Sequence, residues 1–287
     1  MYRSLVTKVG CWLMLMPAAV LADHGREGFE FSGFARVVAG YLDEPDSPFN
    51  GYDDGVSLGQ QSLVAVQPSF NFTSELSATA QWLAHTSDDR GSSLEWLYLS
   101  YQPTPSWRLR AGKLRTPFFR YSDGIDVGYT YPWITPPTQV YNNYLFSTFE
   151  GGSVSYQHGW PSLALSVEGY YGSFDDDVYI AGSRVDVDAR VSDLMGVVLN
   201  LRSHNFNLRL SYHAGYNETD LPQLDLIRLP LEQAGFTRSA DSLDSKGRIT
   251  IAQGAISYDS LHTFWEAEWV RTHTEFSLTP ELTGYYL

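Results

Sequence analysis

Apolar and polar residues alternate with a period of two along almost the whole chain. Over 29–41, Phe29, Phe31, Gly33, Ala35, Val37, Ala39 and Tyr41 fall on one side of an extended backbone, and Glu30, Ser32, Phe34, Arg36, Val38 and Gly40 on the other. Successive strand side chains point to opposite faces, so the segment presents one apolar and one wetter surface. The alternation returns as Val64, Val66, Pro68, Phe70 and Phe72 against Ala65, Gln67, Ser69 and Asn71. It returns again as Trp107, Leu109 and Ala111 against Arg108, Arg110 and Gly112, and as Trp265, Ala267 and Trp269 against Glu266 and Glu268. It predicts about eleven strands, at 29–41, 58–73, 75–87, 93–102, 106–115, 148–157, 162–174, 191–203, 205–217, 247–259 and 261–275, with a twelfth beginning near Leu282. No helical stretch is predicted beyond the first 22 residues.

The connections sort by length. Those after even-numbered strands are tight: Thr73-Ser74-Glu75, 102–106, 157–161, Ser203-His204-Asn205 and Asp259-Ser260. Those after odd-numbered strands are long, at 42–57, 116–147, 174–190, 217–246 and 274–281, with 87–92 the short exception. Short turns on one rim and long loops on the other describe an antiparallel, up-and-down transmembrane β-barrel. Strands of roughly 11–15 residues exceed the mode of about 5–6 in soluble sheets, and a tilted spanning strand needs about 9–11. Lipid accounts for an aromatic outer face, with Tyr41, Trp82, Trp96, Tyr98, Trp107, Tyr156, Tyr171, Tyr212, Tyr216, Trp265 and Trp269 near strand ends as interfacial girdles. A secreted β-sandwich also alternates, but its strands are shorter and its loops do not sort by parity.

The first residues belong to another pattern. Arg3 and Lys8 precede an apolar stretch from Val9 to Val20, and Val20-Leu21-Ala22 supplies a cleavage site, so 1–22 reads as a secretory signal peptide and 23–287 as one barrel domain. The single cysteine, Cys11, lies inside that peptide, which excludes a disulfide framework and a multi-Cys zinc site from the mature chain. With 33 acidic against 19 basic residues and a net charge of −14, nucleic acid is an unfavourable partner.

Two stretches resemble the sixteen-stranded porins of Gram-negative outer membranes: Ser32-Gly33-Phe34-Ala35-Arg36-Val37, and Gly112-Lys113-Leu114-Arg115-Thr116-Pro117-Phe118-Phe119 running into a long third loop. The resemblance implies an outer-membrane homotrimer of water-filled channels, whose third loop folds inward so that wall arginines face loop acids. In this chain Arg108 and Arg110 sit on the non-lipid face. Lys113 and Arg115 are out of phase, so turning them inward requires a kink at Gly112. Arg120 opens the loop, Asp123 and Asp126 follow, and then comes an aromatic, proline-rich run: Tyr129, Tyr131, Pro132, Trp133, Pro136, Pro137, Tyr141, Tyr144. Arg108, Arg110, Arg115, Arg120, Asp123 and Asp126 are therefore the candidate constriction, with Arg36, Glu168 and Arg209 as further lumen-facing candidates. A loop of about 30 residues is too long for mere connection, and opposed charges across water set a transverse field that biases ion passage. The alternatives are that these arginines only pair with strand neighbours such as Glu95 and Glu150, or that the loop covers the barrel mouth.

No His-Glu-x-x-His, Gly-x-Ser-x-Gly or phosphate-binding Gly-x-x-x-x-Gly-Lys-Ser/Thr occurs, and the sequence makes no orienting partner evident for His85-Thr86-Ser87, so no enzymatic activity and no cofactor are expected. Asp175-Asp176-Asp177 with Asp186 and Asp188 is a weak calcium candidate, because the spacing is not that of an EF-hand. The expected function is passive diffusion of small hydrophilic solutes or ions across the outer membrane, through mixed polar and small lumen-facing positions. The rival is a non-conducting barrel that binds or anchors through acidic external loops. At roughly 24 residues per strand a sixteen-stranded barrel needs about 385 mature residues, so the sequence also leads one to expect an incomplete barrel whose first strand lacks a full-length partner on one side.

Overall fold

The structure, a computed structural model, describes residues 27–43, 52–87, 92–141, 146–180, 185–219, 221–243, 245–276 and 281–287. The expected signal peptide lies outside these residues. Twelve strands form a single sheet in chain order: β1 (Gly28–Arg36), β2 (Leu63–Asn71), β3 (Leu76–His85), β4 (Ser93–Thr104), β5 (Trp107–Arg115), β6 (Thr148–Trp160), β7 (Leu163–Ile180), β8 (Val185–Ser203), β9 (Phe206–Asn217), β10 (Gly247–Asp259), β11 (Phe264–Thr274) and β12 (Leu282–Tyr286). Each strand pairs antiparallel with the next, the up-and-down arrangement that the alternation and the short turns require. Among the described residues no ladder joins β1 to β12; β1 pairs with β2 and β12 with β11.

Three elements differ from the sequence expectation. The first strand stops at Arg36 rather than at 41; Val38 is then held by the Ser62 hydroxyl, and backbone pairing resumes at the isolated bridge Gly40–Ser57. The stretch 174–190 is not a loop: after a register shift between Gly172 and Phe174, β7 and β8 stay paired out to Ile180–Val185. Its density of aspartates suggests a loop, but Phe174 pairs with Val191 and Val178 with Val187, which gives the ribbon an apolar face. The long connection after β9 is helical, against the expectation of none. It holds α2 (Pro222–Gln233), with proline in its first turn, and α3 (Thr237–Asp241), while a short α1 (Thr138–Tyr141) lies in the third loop. Pro230 lies inside α2, where it removes one helix hydrogen-bond donor.

The sheet wears its apolar side outward. Leu97 and Leu99 on β4 are 50% and 52% exposed, and Phe31, Val64, Leu109, Val197 and Leu210 share that face. Near the tight-turn rim, Trp107 packs on Tyr156 at 4.8 Å and Phe206 on Tyr258 at 4.8 Å, the amphipathic rings of an interfacial girdle. The opposite face buries Thr79, Gln81, Ser153, Arg209, Ser211, Gln253, Ser257, Glu266 and Glu268.

That inner face is not uniformly polar and small, as the sequence suggests. Leu114, Tyr170, Leu194, Ile251 and Val270 point inward and form a core with Phe118, Phe119, Val140 and Tyr141. All four of these partners come from the segment after β5. The strand pattern alone could not reveal the core, because five of its fourteen buried residues, Phe118, Phe119, Val140, Tyr141 and Phe146, come from a loop.

Candidate functional site

Loop 3 (116–147) leaves β5 at Arg115, and the strand carries a glycine three residues earlier. Gly112 has φ +137°, and a Cβ there would sit 2.2 Å from the Leu97 carbonyl oxygen, so only glycine fits without strain. Arg115 then lies at the strand's last position with its guanidinium inside. It donates to Asp126 on the loop at 2.8 Å and pairs with Glu95 at 3.4 Å, all three side chains at 4% exposure or less. Glu95 reaches it from a bulge, since the β3–β4 register passes from Trp82–Leu94 to Gln81–Trp96 without pairing Glu95.

From there the loop crosses the inner face. Arg209 on β9 donates to the Pro117 carbonyl at 2.7 Å, and Thr116 to the Phe146 carbonyl at 2.9 Å, which pins the two ends of the loop. The Arg120 amide donates to Glu268 at 2.9 Å, and its guanidinium donates to Ser257 at 2.7 Å and lies 3.4 Å from Glu266. The Tyr121 hydroxyl donates to Glu266 and the Tyr141 hydroxyl to Glu268 at 2.8 Å, and the single hydroxyl proton of Tyr286 on β12 is shared between the two acids, at 2.9 and 3.0 Å. Burial, reinforced by the facing carboxylates, raises the phenols of Tyr121 and Tyr141 above their ordinary value, so both remain protonated donors.

Between these anchors the loop reaches the opposite edge of the sheet. Arg36 on β1 donates to the Tyr131 hydroxyl at 2.9 Å and to the Ile125 carbonyl at 3.4 Å. Two residues further on, Trp133 meets Tyr286 of β12 edge-on at 5.2 Å. The approach to β12 is close: a Cβ on Gly284 would lie 1.9 Å from the Gln139 carbonyl oxygen of α1.

The candidate residues therefore divide. Arg36, Arg115, Arg120, Arg209 and Asp126 are brought together around loop 3, and Asp123 lies on the loop with its side chain exposed. Arg110 and Glu168 form a separate wall pair at 2.6 Å, with Ser153 and the face of Tyr98 beside the guanidinium. Arg108 is exposed and donates to Gln102 at 3.3 Å, near the tight turns and away from the loop. Lys113 lies 3.8 Å from Asp176, and Glu150 stands opposite Lys113 in the ladder. Beneath, towards the tight-turn rim, a cavity of ≈ 520 Å³ is lined by Glu30, Asn71, Glu75, Ser77, Ser100 and Gln102 among others.

Sequence reasoning missed Glu266 and Glu268. Their signal was present: two acids two residues apart on the wet face of a strand, between Trp265, Ala267 and Trp269, with no basic residue in step to explain them. Of the weak calcium candidates, Asp175 is held by Arg190 at 2.8 Å and Asp176 by Lys113, while the side chain of Asp186 lies outside the described residues. Among the described residues no three His, Cys, Asp or Glu side chains are grouped to hold a metal ion. His85 accepts the Ser87 amide at 3.0 Å through Nδ1.

No family model matches the chain, and no curated protein does. Among solved structures it is similar to a loop L8 deletion mutant of OmpT, an outer membrane protein of Vibrio cholerae (12% identity over 88% of this chain and 84% of that one, TM-score 0.40). It is also similar to OccAB4 of Acinetobacter baumannii (11%, 88% and 69%, 0.35) and to the outer membrane channel DcaP of Acinetobacter baumannii (10%, 90% and 95%, 0.27). At these identities and TM-scores the likenesses carry nothing about function, which rests on the residues above.

Proposed function

We propose that the chain is an outer-membrane barrel, exported through its 1–22 leader, that lets small hydrophilic solutes or ions diffuse past loop 3. A sheet with an apolar, aromatic-rimmed exterior and paired charges inside is inverted relative to a soluble domain, and lipid is the solvent that stabilises such an exterior. The observation that carries the reading is the ring of charges around the loop. Arg115 pairs with Glu95 and Asp126 and Arg120 with Glu266, while the Arg120 amide bonds Glu268 and Arg36 holds the loop through Tyr131 and the Ile125 carbonyl, above a cavity towards the short-turn rim. Charges placed this way stabilise a loop within a wet passage and select among the ions that use it. The trimer that the porin resemblance implies belongs to the same reading.

One observation favours the rival. Phe118, Phe119 and Val140, all at 1% exposure or less, fill the inner face between β5 and β11, as a plug would. A barrel sealed in this way would bind or anchor through its external loops. Planar-bilayer recording on the purified full chain separates the two: discrete conductance steps are expected, and their absence overturns the channel reading in favour of the sealed barrel.

A further inference from the structure

We propose that the cavity inside the tight-turn rim is a binding site for small organic cations that carry primary ammonium groups. The inference goes beyond the channel reading and holds whether or not the barrel conducts, since it concerns occupancy of the cavity alone.

The cavity measures ≈ 520 Å³, inside the span of about 300–1,000 Å³ that small-molecule sites occupy. Its walls are the tight-turn ends of β1 to β4 with the turns that follow β2 and β4. Among the described residues that line it, Glu30 and Glu75 are acidic and none is basic. Glu30 takes the Asn71 amide on Oε1 at 2.8 Å, a neutral partner that leaves the carboxylate charge uncompensated. Arg108 on β5 touches the lining through Gln102 at 3.3 Å and stands outside the cavity wall. Two carboxylates in a concave, walled site focus negative potential where a cation can enter.

The hydrogen-bonding groups carry the same bias. The turns spend their amides on themselves: Glu75 and Leu76 donate to the Thr73 hydroxyl oxygen at 3.1 and 3.0 Å, Gln102 to the Glu75 carbonyl at 2.8 Å, and Trp107 to the Thr104 hydroxyl oxygen at 3.2 Å. Pro103 and Pro105 have no amide hydrogen, and Asn71 gives one of its own to Glu30. The cavity therefore offers more acceptors than donors, and its complement is a group that only donates. A primary ammonium is that group, with three N–H bonds and no acceptor. A bare metal ion fits less well, because among the described residues no three His, Cys, Asp or Glu side chains are grouped to hold one. The two proline rings supply apolar surface for a ligand's carbon skeleton. Aliphatic diamines and amino sugars share this chemistry, and differ in whether the Ser77 and Ser100 hydroxyls find ligand oxygens to meet.

The test is equilibrium dialysis of the purified, folded protein in detergent against putrescine and glucosamine, each beside its neutral counterpart, butanediol and glucose. Folding is checked by heat-modifiable gel mobility and β-type circular dichroism. At least one amine is expected to bind, more weakly as salt rises from about 0.05 to 0.5 M because the screening length shortens. The neutral compounds should not bind. E30Q/E75Q should lower amine affinity about tenfold or more, since two charge-assisted contacts are lost together. D177N/D188N removes two exposed acids from the β7–β8 ribbon at the opposite rim, the same change in net charge, and should leave affinity as in wild type. Binding of putrescine alone assigns an aliphatic diamine and binding of glucosamine alone an amino sugar, and either supports the site. No binding of either amine, equal binding of the neutral compounds, or the same loss in both double variants overturns it. Amine binding by a barrel that is silent in bilayers supports the site while overturning the channel reading. If E30Q/E75Q does not fold, E75Q in the exposed turn decides by the same comparison, with D188N as its control.

Discussion

Tyr141 in loop 3 donates its hydroxyl to Glu268 on β11 at 2.8 Å, across 127 positions of sequence, and the same oxygen accepts the Tyr121 amide at 3.1 Å. One phenol thus joins the two feet of the loop to each other and to the wall. Tyr141→Phe keeps the ring and removes both bonds, leaving a buried carboxylate one donor short. A hydrogen bond to a charged group contributes about 1.5–3 kcal/mol, so a stability loss of that order is expected in urea unfolding from lipid vesicles. An unchanged midpoint would show that the network does not depend on this hydroxyl.

The strands are legible because lipid-type burial writes period two directly into sequence: each of the twelve overlaps a segment of alternation, although β1 ends five residues early, β2 begins five late, and β7 and β8 each run six residues further. What was not legible depends on contacts between distant residues. The inner apolar core requires Phe118, Phe119 and Val140 to arrive from a loop, and no local period announces a loop that folds inward. The acids of β11 could be seen, but their partners Tyr121, Tyr141 and Tyr286 lie far away in sequence and look like ordinary interfacial aromatics. The sequence asks for a kink at Gly112 to turn Arg115 inward; φ is positive there, but the ladder to β6 runs through Gly112 without a shift, Leu114 keeps the inward phase, and Arg115 turns in from the strand's last position. The ribbon after Phe174 is hidden because Asp175-Asp176-Asp177, Asp186 and Asp188 interrupt the apolar alternation at both of its ends.

Gly112→Ala should be poorly tolerated. The left-handed φ of +137° and the 2.2 Å approach of the Leu97 oxygen leave no place for a methyl group, and such strain costs on the order of 1–3 kcal/mol. Folded yield in detergent should fall well below that of Gly152→Ala. The nearest atom to a Cβ at that second glycine is the Arg110 carbonyl oxygen at 3.3 Å, and its φ is not in the positive region. Equal yields would place the backbone at Gly112 in another conformation.

The lipid-facing assignment can be tested one residue at a time on β4. Leu99 is 52% exposed on the outer face, and Ser100 faces the inner cavity. Leu99→Arg should destabilise the folded protein by about 2–4 kcal/mol in bilayers if the position lies near mid-membrane, whereas Ser100→Arg should be much milder. In water an exposed leucine replaced by arginine changes little, within about 0.5 kcal/mol. Comparable effects at both positions would argue that the outer face does not meet hydrocarbon.

Arg115→Met should be more damaging than any change at Arg108. The guanidinium is buried with Glu95 and Asp126, and removing one partner of such a group strands the others at a cost of roughly 3–5 kcal/mol. The triple change R115M/E95Q/D126N removes the charges together and should recover much of the loss in the same unfolding assay. Failure to recover would mean that Arg115 matters through its stem packing on Trp96, whose ring lies 5.3 Å from the guanidinium carbon.

Arg110 offers the clearest electrical readout, because its partner is as wet as it is. Arg110 and Glu168 meet at 2.6 Å with exposures of 29% and 23%, so the pair contributes little to stability but places a fixed charge on the inner wall. Arg110→Ala leaves Glu168 unopposed, and a bare carboxylate on the wall attracts cations. The reversal potential in a salt gradient should therefore move towards the cation value, as it should for the combined replacement of Arg108 and Arg110. The shift should be larger at 0.01 M than at 1 M salt, since the screening length falls from about 30 Å to about 3 Å. R110A/E168A returns the local charge to neutral, and its reversal potential should move back towards wild type. A double variant that behaves like R110A would trace the effect to the lost side-chain volume beside Tyr98 rather than to charge. An R110A channel with wild-type selectivity at low salt would place this wall outside the ion path.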